Sequence, residues 1–120
     1  MSLHARRFWL LLGLFSAAVN SAAQTGAQKD VRYGAYDNDV LDFHPAQTQE
    51  PAPVLIHFHG GGWTGGDKKG LNPAPLLRAG IAVVSANYRF TTGTKDAPPY
   101  PAPMLDAAQV VQFVRSKAAE

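Results

Sequence analysis

Two histidines, three consecutive glycines and a tryptophan stand together in Val54-Leu-Ile-His57-Phe-His59-Gly60-Gly61-Gly62-Trp63-Thr64-Gly65-Gly66-Asp67-Lys68. Consecutive glycines are costly, because glycine loses more conformational freedom on folding than any other residue. They persist where the backbone must take unusual dihedrals or let another group approach its amides. Strand-like sequence from Val54 to His59 runs straight into them, so the turn closes a strand and presents bare N–H groups. Such a place suits negative charge, either a phosphate or the oxyanion of a carbonyl under attack.

Three chemistries compete for this stretch. Gly60-Gly61-Gly62-Trp63-Thr64-Gly65 matches G-x-G-x-x-G after a strand, the dinucleotide fingerprint. That fingerprint should open a helix, and Gly65, Gly66, Gly70 and Pro73 argue against one. An acidic residue should also follow at the next strand, which here ends in Ser85-Ala86-Asn87. A mononucleotide P-loop fares worse, since Asp67 follows Gly66. For a metal, His57 and His59 are two apart and share one strand face. Zinc needs a third protein ligand, and beyond the leader the only other histidine is His44. One packed histidine and one holding the loop by a backbone hydrogen bond is the simpler expectation. The third chemistry is acyl transfer, in which preorganised backbone N–H donors stabilise the charge that builds on a carbonyl oxygen.

The flanking elements must position that turn. Val31–Gly34 and Val40–His44 read as short strands around the turn sequence Tyr36-Asp37-Asn38-Asp39, hence an antiparallel hairpin at a sheet edge. Val54–Phe58 is nearly continuous apolar sequence, as for a parallel strand covered on both faces. Asn72-Pro73 opens a short helix that Gly80 stops, and Ile81–Asn87 is a second buried strand. Strand, helix, strand at this spacing is a βαβ unit. Tyr88–Pro103 is a proline-rich loop. A last helix over about Met104–Ala118 places Met104, Ala107, Val110, Val111, Val114 and Ala118 on one face, with Asp106 in its first turn. The expected class is α/β, a three-layer α/β/α arrangement with a mostly parallel sheet and an N-terminal antiparallel edge.

The first residues have a different purpose. A basic start (Arg6, Arg7), the apolar run Phe8–Val19 and the small residues Ser21-Ala22-Ala23 form the layout of a secretory signal peptide. The apolar run is too short to span a bilayer, which takes ~20 residues. Residues 1–23 are expected to be cleaved near Ala23–Gln24, giving a secreted or periplasmic chain without a stable membrane span. Taking Arg6 and Arg7 from the eleven basic residues leaves nine against nine acidic ones. A balanced chain with no basic stripe offers no electrostatic footprint for nucleic acid. Cysteine is absent, so burial and hydrogen bonding must stabilise the fold without disulfides.

The glycine turn with its context resembles the α/β-hydrolase fold, in its esterase and lipase branch with an H-G-G-G-W turn after the third strand. Gly65-Gly66-Asp67-Lys68, Ala86-Asn87-Tyr88-Arg89, Tyr100-Pro101-Ala102-Pro103 and Asp106-Ala107-Ala108 resemble the same family in the same order. The resemblance implies that the amides of Gly61 and Gly62 are oxyanion donors, that His59 orients the turn, that Trp63 packs beside the acyl pocket and that Asp67 ties the loop down. It implies a small-molecule, carbohydrate or lipid ester as substrate, and neither cofactor nor metal. The family nucleophile, a serine in G-x-S-x-G, is missing from these 120 residues: Ser85 and Ser116 lack flanking glycines, and no histidine follows His59. Residues 24–120 are therefore expected to be the N-terminal portion of an α/β-hydrolase domain, marginally stable and hydrolytically inert alone. A non-catalytic remnant or binding module of the same fold is the alternative.

Overall fold

The computed structural model describes residues 26–93 and 99–118, so the leader and its cleavage site lie outside the described residues. Four strands form one sheet in the order β1-β2-β4-β3: β1 is Gln28–Arg32, β2 Val40–His44, β3 Val54–Phe58 and β4 Ala82–Ala86. β1 pairs antiparallel with β2, β2 antiparallel with β4, and β3 parallel with β4. The sheet is mixed, with the hairpin at its antiparallel edge, as the sequence implies for a partial α/β-hydrolase.

The hairpin forms because Tyr36–Asp39 satisfies its own backbone. The Asp39 amide donates to the Tyr36 carbonyl, and the Tyr36 amide donates to Asp39 Oδ2, both at 2.9 Å. β1 starts three residues before the expected Val31. A register shift between Gln28 and Val31 accommodates the extra residues, and Asp30 there has φ +53°.

Side chains alternate across the sheet. Leu41, Phe43, Ile56, Phe58, Val84 and Ala86 share the face on which helix α2 (Ala102–Ser116) packs Val110, Phe113 and Val114. On the other face Asp42 and Ser85 meet the 3-10 turn Lys68–Gly70, which contacts β4 together with the short helix α1 (Ala74–Arg78). Asn72 Oδ1 caps α1 through the Ala74 amide, and Gly80 ends it at φ +79°.

Four expectations need correction. β3 is not covered on both faces: it is an edge strand among the described residues, and Val54 and Leu55 are 45% and 37% exposed. Apolar content alone does not distinguish a central strand from an edge. α2 begins two residues early, because Pro103 falls in its first turn, where a missing N–H costs nothing. This start leaves no acidic residue in the first turn, and the buried face rotates onto Ala102, Pro103, Asp106 and Val110. Met104 and Val111, expected inside, are exposed at 47% and 38%. Asp106 faces inward because Arg89 neutralises it, binding both carboxylate oxygens with Nε at 3.1 and 2.9 Å and one with Nη2 at 2.7 Å.

Candidate oxyanion site

The glycine turn lies where β3 and β4 both end. The two strands run parallel in register, Phe58 beside Ala86, so His59 and Tyr88 emerge at the same carboxyl edge. Crevices outside the carboxyl ends of parallel strands are where open α/β sheets bind ligands.

His59 is buried at 7% exposure, and Tyr88 at 2% lies flat against it, ring centroids 4.5 Å apart at 13°. The Tyr88 hydroxyl donates to the His59 carbonyl at 2.6 Å. His59 Nδ1 lies 2.8 Å from the Gly60 carbonyl. Since a carbonyl only accepts, Nδ1 carries the proton there, and Nε2 is buried with no partner among the described residues. His59 thus holds the start of the turn by its ring and by its main chain.

The turn itself is left-handed through three residues: Gly61 at φ +128°, Gly62 at +60° and Trp63 at +65°. A Cβ at Gly61 would strike the Gly65 carbonyl, and one at Gly66 would strike the Gly60 carbonyl and the His59 ring, whereas one at Gly62 would meet open space. The turn is thus closed into a ring of touching backbone. A bulky residue at positive φ, as at Trp63, is an outlier that persists only when its surroundings impose it. Here the Trp63 carbonyl accepts from the Thr91 amide at 2.8 Å and its hydroxyl at 3.3 Å, and the half-exposed indole leans on Tyr88 at 5.6 Å. The Gly61 carbonyl accepts from the Thr64 amide and hydroxyl at 3.1 and 3.2 Å. The amides of Gly61 and Gly62 donate to no backbone or side-chain acceptor among the described residues, and both glycines are exposed.

Asp67 closes the far side. Its Oδ1 accepts from the Lys69 amide at 2.8 Å and its Oδ2 from Asn87 Nδ2 at 3.3 Å. The Lys69 amide first, then Asn87, hold its carboxyl below the ordinary carboxylate range. Asn87 Oδ1 accepts from the Lys68 amide at 2.7 Å, and the Ser85 hydroxyl donates to the Lys68 carbonyl at 2.7 Å. With that proton committed, Ser85 accepts from His57 Nδ1 at 3.1 Å. His57 and His59 therefore each hold backbone or its supports, and among the described residues no group of three His, Asp or Glu could hold a metal ion.

The five residues singled out from sequence, His59, Gly61, Gly62, Trp63 and Asp67, gather on this one turn. Tyr88, Asn87, Ser85, Thr91 and Lys68, which support it from beneath, were given no role from sequence. Lys68, Asn87 and Tyr88 lie in segments that carry the family resemblance, and for Ser85 and Thr91 the signal is position alone, at and just beyond the end of β4.

The family model described as BD-FAE matches residues 41–120. The chain belongs to the BD-FAE family. Within curated proteins this BD-FAE chain is similar to carboxylesterase NlhH of Mycobacterium tuberculosis, 34% identical over an alignment of 90 residues that covers 72% of this chain. It is also similar to kynurenine formamidase of Danio rerio, 32% identical over 78 residues and 62% of this chain. The chain spans 27% of the length of each of these relatives. Among solved structures, a truncated form of a carbohydrate esterase from gut microbiota superposes with a TM-score of 0.65 at 28% identity, covering 81% of this chain and 36% of that one. The butyrate-bound esterase Est2 of Thermogutta terrifontis gives 0.65 at 25% identity, covering 79% and 36%. The BD-FAE chain is thus esterase-like in sequence and α/β-hydrolase in fold. No helix among its described residues is long and apolar enough to cross a membrane.

Proposed function

We propose that this chain carries the oxyanion-hole half of a serine-type carboxylic ester hydrolase of the esterase and lipase kind. When a hydroxyl attacks an ester carbonyl, the C=O electron pair moves onto the oxygen, and the amides of Gly61 and Gly62 receive that charge. His59 orients the turn, Trp63 borders the acyl side and Asp67 ties the loop down. The observation that carries this reading is a pair of adjacent N–H groups, on two exposed glycines and without an acceptor among the described residues, on a turn that three left-handed residues hold in place. Fixed donors act without reorganising at the moment of reaction. The substrate is a small-molecule, carbohydrate or lipid ester. Residues 1–23 direct export and are removed, and residues 24–120 form part of a longer catalytic domain that supplies the nucleophile and its histidine.

Proline at Gly61 would remove the N–H but would also force φ near −65° where the turn has +128°. Replacing residue 61 by glycolate removes the N–H without adding a side chain or fixing φ, although it also turns the Gly60 carbonyl that accepts from His59 Nδ1 into a weaker ester acceptor. In the complete gene product, that exchange should lower kcat for a p-nitrophenyl ester by ~10²–10³. Unchanged kcat would end the oxyanion assignment. The second reading is a non-catalytic remnant or binding module of the same fold. A G-x-S-x-G encoded shortly beyond codon 120 decides for the enzyme.

A further inference from the structure

Lys68 is 3% exposed, an unusual fate for a lysine two residues beyond an exposed glycine turn. Its ammonium lies 2.8 Å from Asp42 Oδ1 and 2.8 Å from Asp30 Oδ1. Asp42, itself 2% exposed, also accepts from the Asp30 amide at 3.0 Å and from Lys29 Nζ at 3.3 Å. Removing an ammonium from water is expensive unless it is paired and hydrogen-bonded. An apolar side chain of this length would fill the same space without that cost. The lysine therefore contributes direction: its charge can be satisfied only where two carboxylates wait.

The carboxylates are placed with matching care. Asp42 is on β2, whereas Asp30 sits at the irregularity in β1 with φ +53°, a strained conformation for an aspartate outside a turn. Both main-chain groups of Lys68 are also fixed, the amide by Asn87 and the carbonyl by Ser85. Two residues upstream, Gly66 abuts the Gly60 carbonyl and the His59 ring. A displacement of residue 68 therefore passes through Gly66 into the start of the turn.

We propose that Lys68 is a positioning residue for the Gly61–Gly62 amides, tethering the glycine turn to β1 through Asp30 and to β2 through Asp42; the assignment rests on reading those amides as oxyanion donors. The tether acts from the sheet face opposite α2, so that docking of β1 and geometry of the turn are one event. It touches no substrate.

Hydrogen exchange of the full chain tests this. The Thr64 amide, bonded to the Gly61 carbonyl, and the Thr91 amide, bonded to the Trp63 carbonyl, report the turn; the amides of Ala82–Ala86 report the sheet. In Lys68→Met the two reporters should exchange roughly tenfold faster relative to the β4 amides, as for loss of a hydrogen bond to a charged group. Asp30→Asn, at a side chain 70% exposed, is the milder variant that spares folding and should shift the reporters the same way. Equal acceleration of reporters and β4 amides in both variants would overturn the proposal, as would no acceleration. The double variant Lys68→Met, Asp42→Leu replaces the buried pair by apolar groups and should restore β4 protection. Reporters that stay fast in it support positioning, and reporters that recover with β4 refute it. Intact hydrolysis with glycolate at 61 would end the oxyanion reading and leave these exchange results standing.

Discussion

Gly61 and Gly62 are neighbours of the same type, yet alanine should affect them very differently. At Gly62 the added methyl meets open space, so the cost is that of a left-handed L-residue, ~1–2 kcal/mol. At Gly61 the φ of +128° is a region essentially reserved for glycine, worth ~1–3 kcal/mol. The methyl there also lands on the Gly65 carbonyl, a backbone group that cannot step aside without opening the turn. Opening it gives up both bonds from Thr64 to the Gly61 carbonyl, ~0.5–1.5 kcal/mol each. The total for Gly61→Ala is then roughly 2–6 kcal/mol. Urea unfolding of residues 24–120, whose one tryptophan is Trp63, measures both variants by fluorescence through the shift in midpoint at constant slope. Midpoint shifts of equal size for Gly61→Ala and Gly62→Ala would refute the claim that the turn is a closed ring of backbone.

Three further outcomes follow from the supports beneath the turn. Tyr88→Phe keeps the ring stack and removes only the hydroxyl bonded to the His59 carbonyl, so unfolding free energy should fall by ~1–3 kcal/mol; a loss under ~0.5 kcal/mol would show that carbonyl satisfied elsewhere. Asp106→Asn leaves Arg89, whose side chain is 11% exposed, without its counter-charge and should cost ~3–5 kcal/mol in the same urea assay, whereas an apolar replacement of both partners should recover most of it. Burial by itself would raise the Asp42 carboxyl, but bonds from Lys68, the Asp30 amide and Lys29 outweigh it and hold it below the ordinary 3.8, while bonds from Asp30 and Asp42 outweigh burial at Lys68 and hold its ammonium above 10.5. A depressed carboxyl contributes stability present above its unfolded pKa of about 3.9 and lost as pH falls through the lower folded value. A raised ammonium contributes stability present below its unfolded pKa and lost as pH rises through the higher folded value. The contribution of this pair should therefore be level between these limits, and Asp42→Asn should flatten the acid decline of thermal stability; an equally steep acid decline in that variant would contradict the assignment.

Local residue preferences set where the chain changes direction and where the backbone must be bare. Val40–His44 and Val54–Phe58 are strands at the residues expected, because local β-preference and flanking turn residues act over a few positions. Gly80 ends α1, and Gly61 and Gly62 turn the chain after β3, at positive φ that glycine takes without strain. The five residues assigned to the turn do come together there, being nearly contiguous in the chain. What the tertiary structure alone decided was which neighbours the turn leans on. Tyr88, Asn87 and Ser85 reach it only because β4 lies parallel beside β3, and pairing across a long separation leaves no periodicity to read. The inward turn of Asp106 and the burial of Lys68 have the same origin. A charged residue reads as solvent-facing until an opposite charge from another element meets it, and that meeting is a property of the folded sheet rather than of any window of sequence.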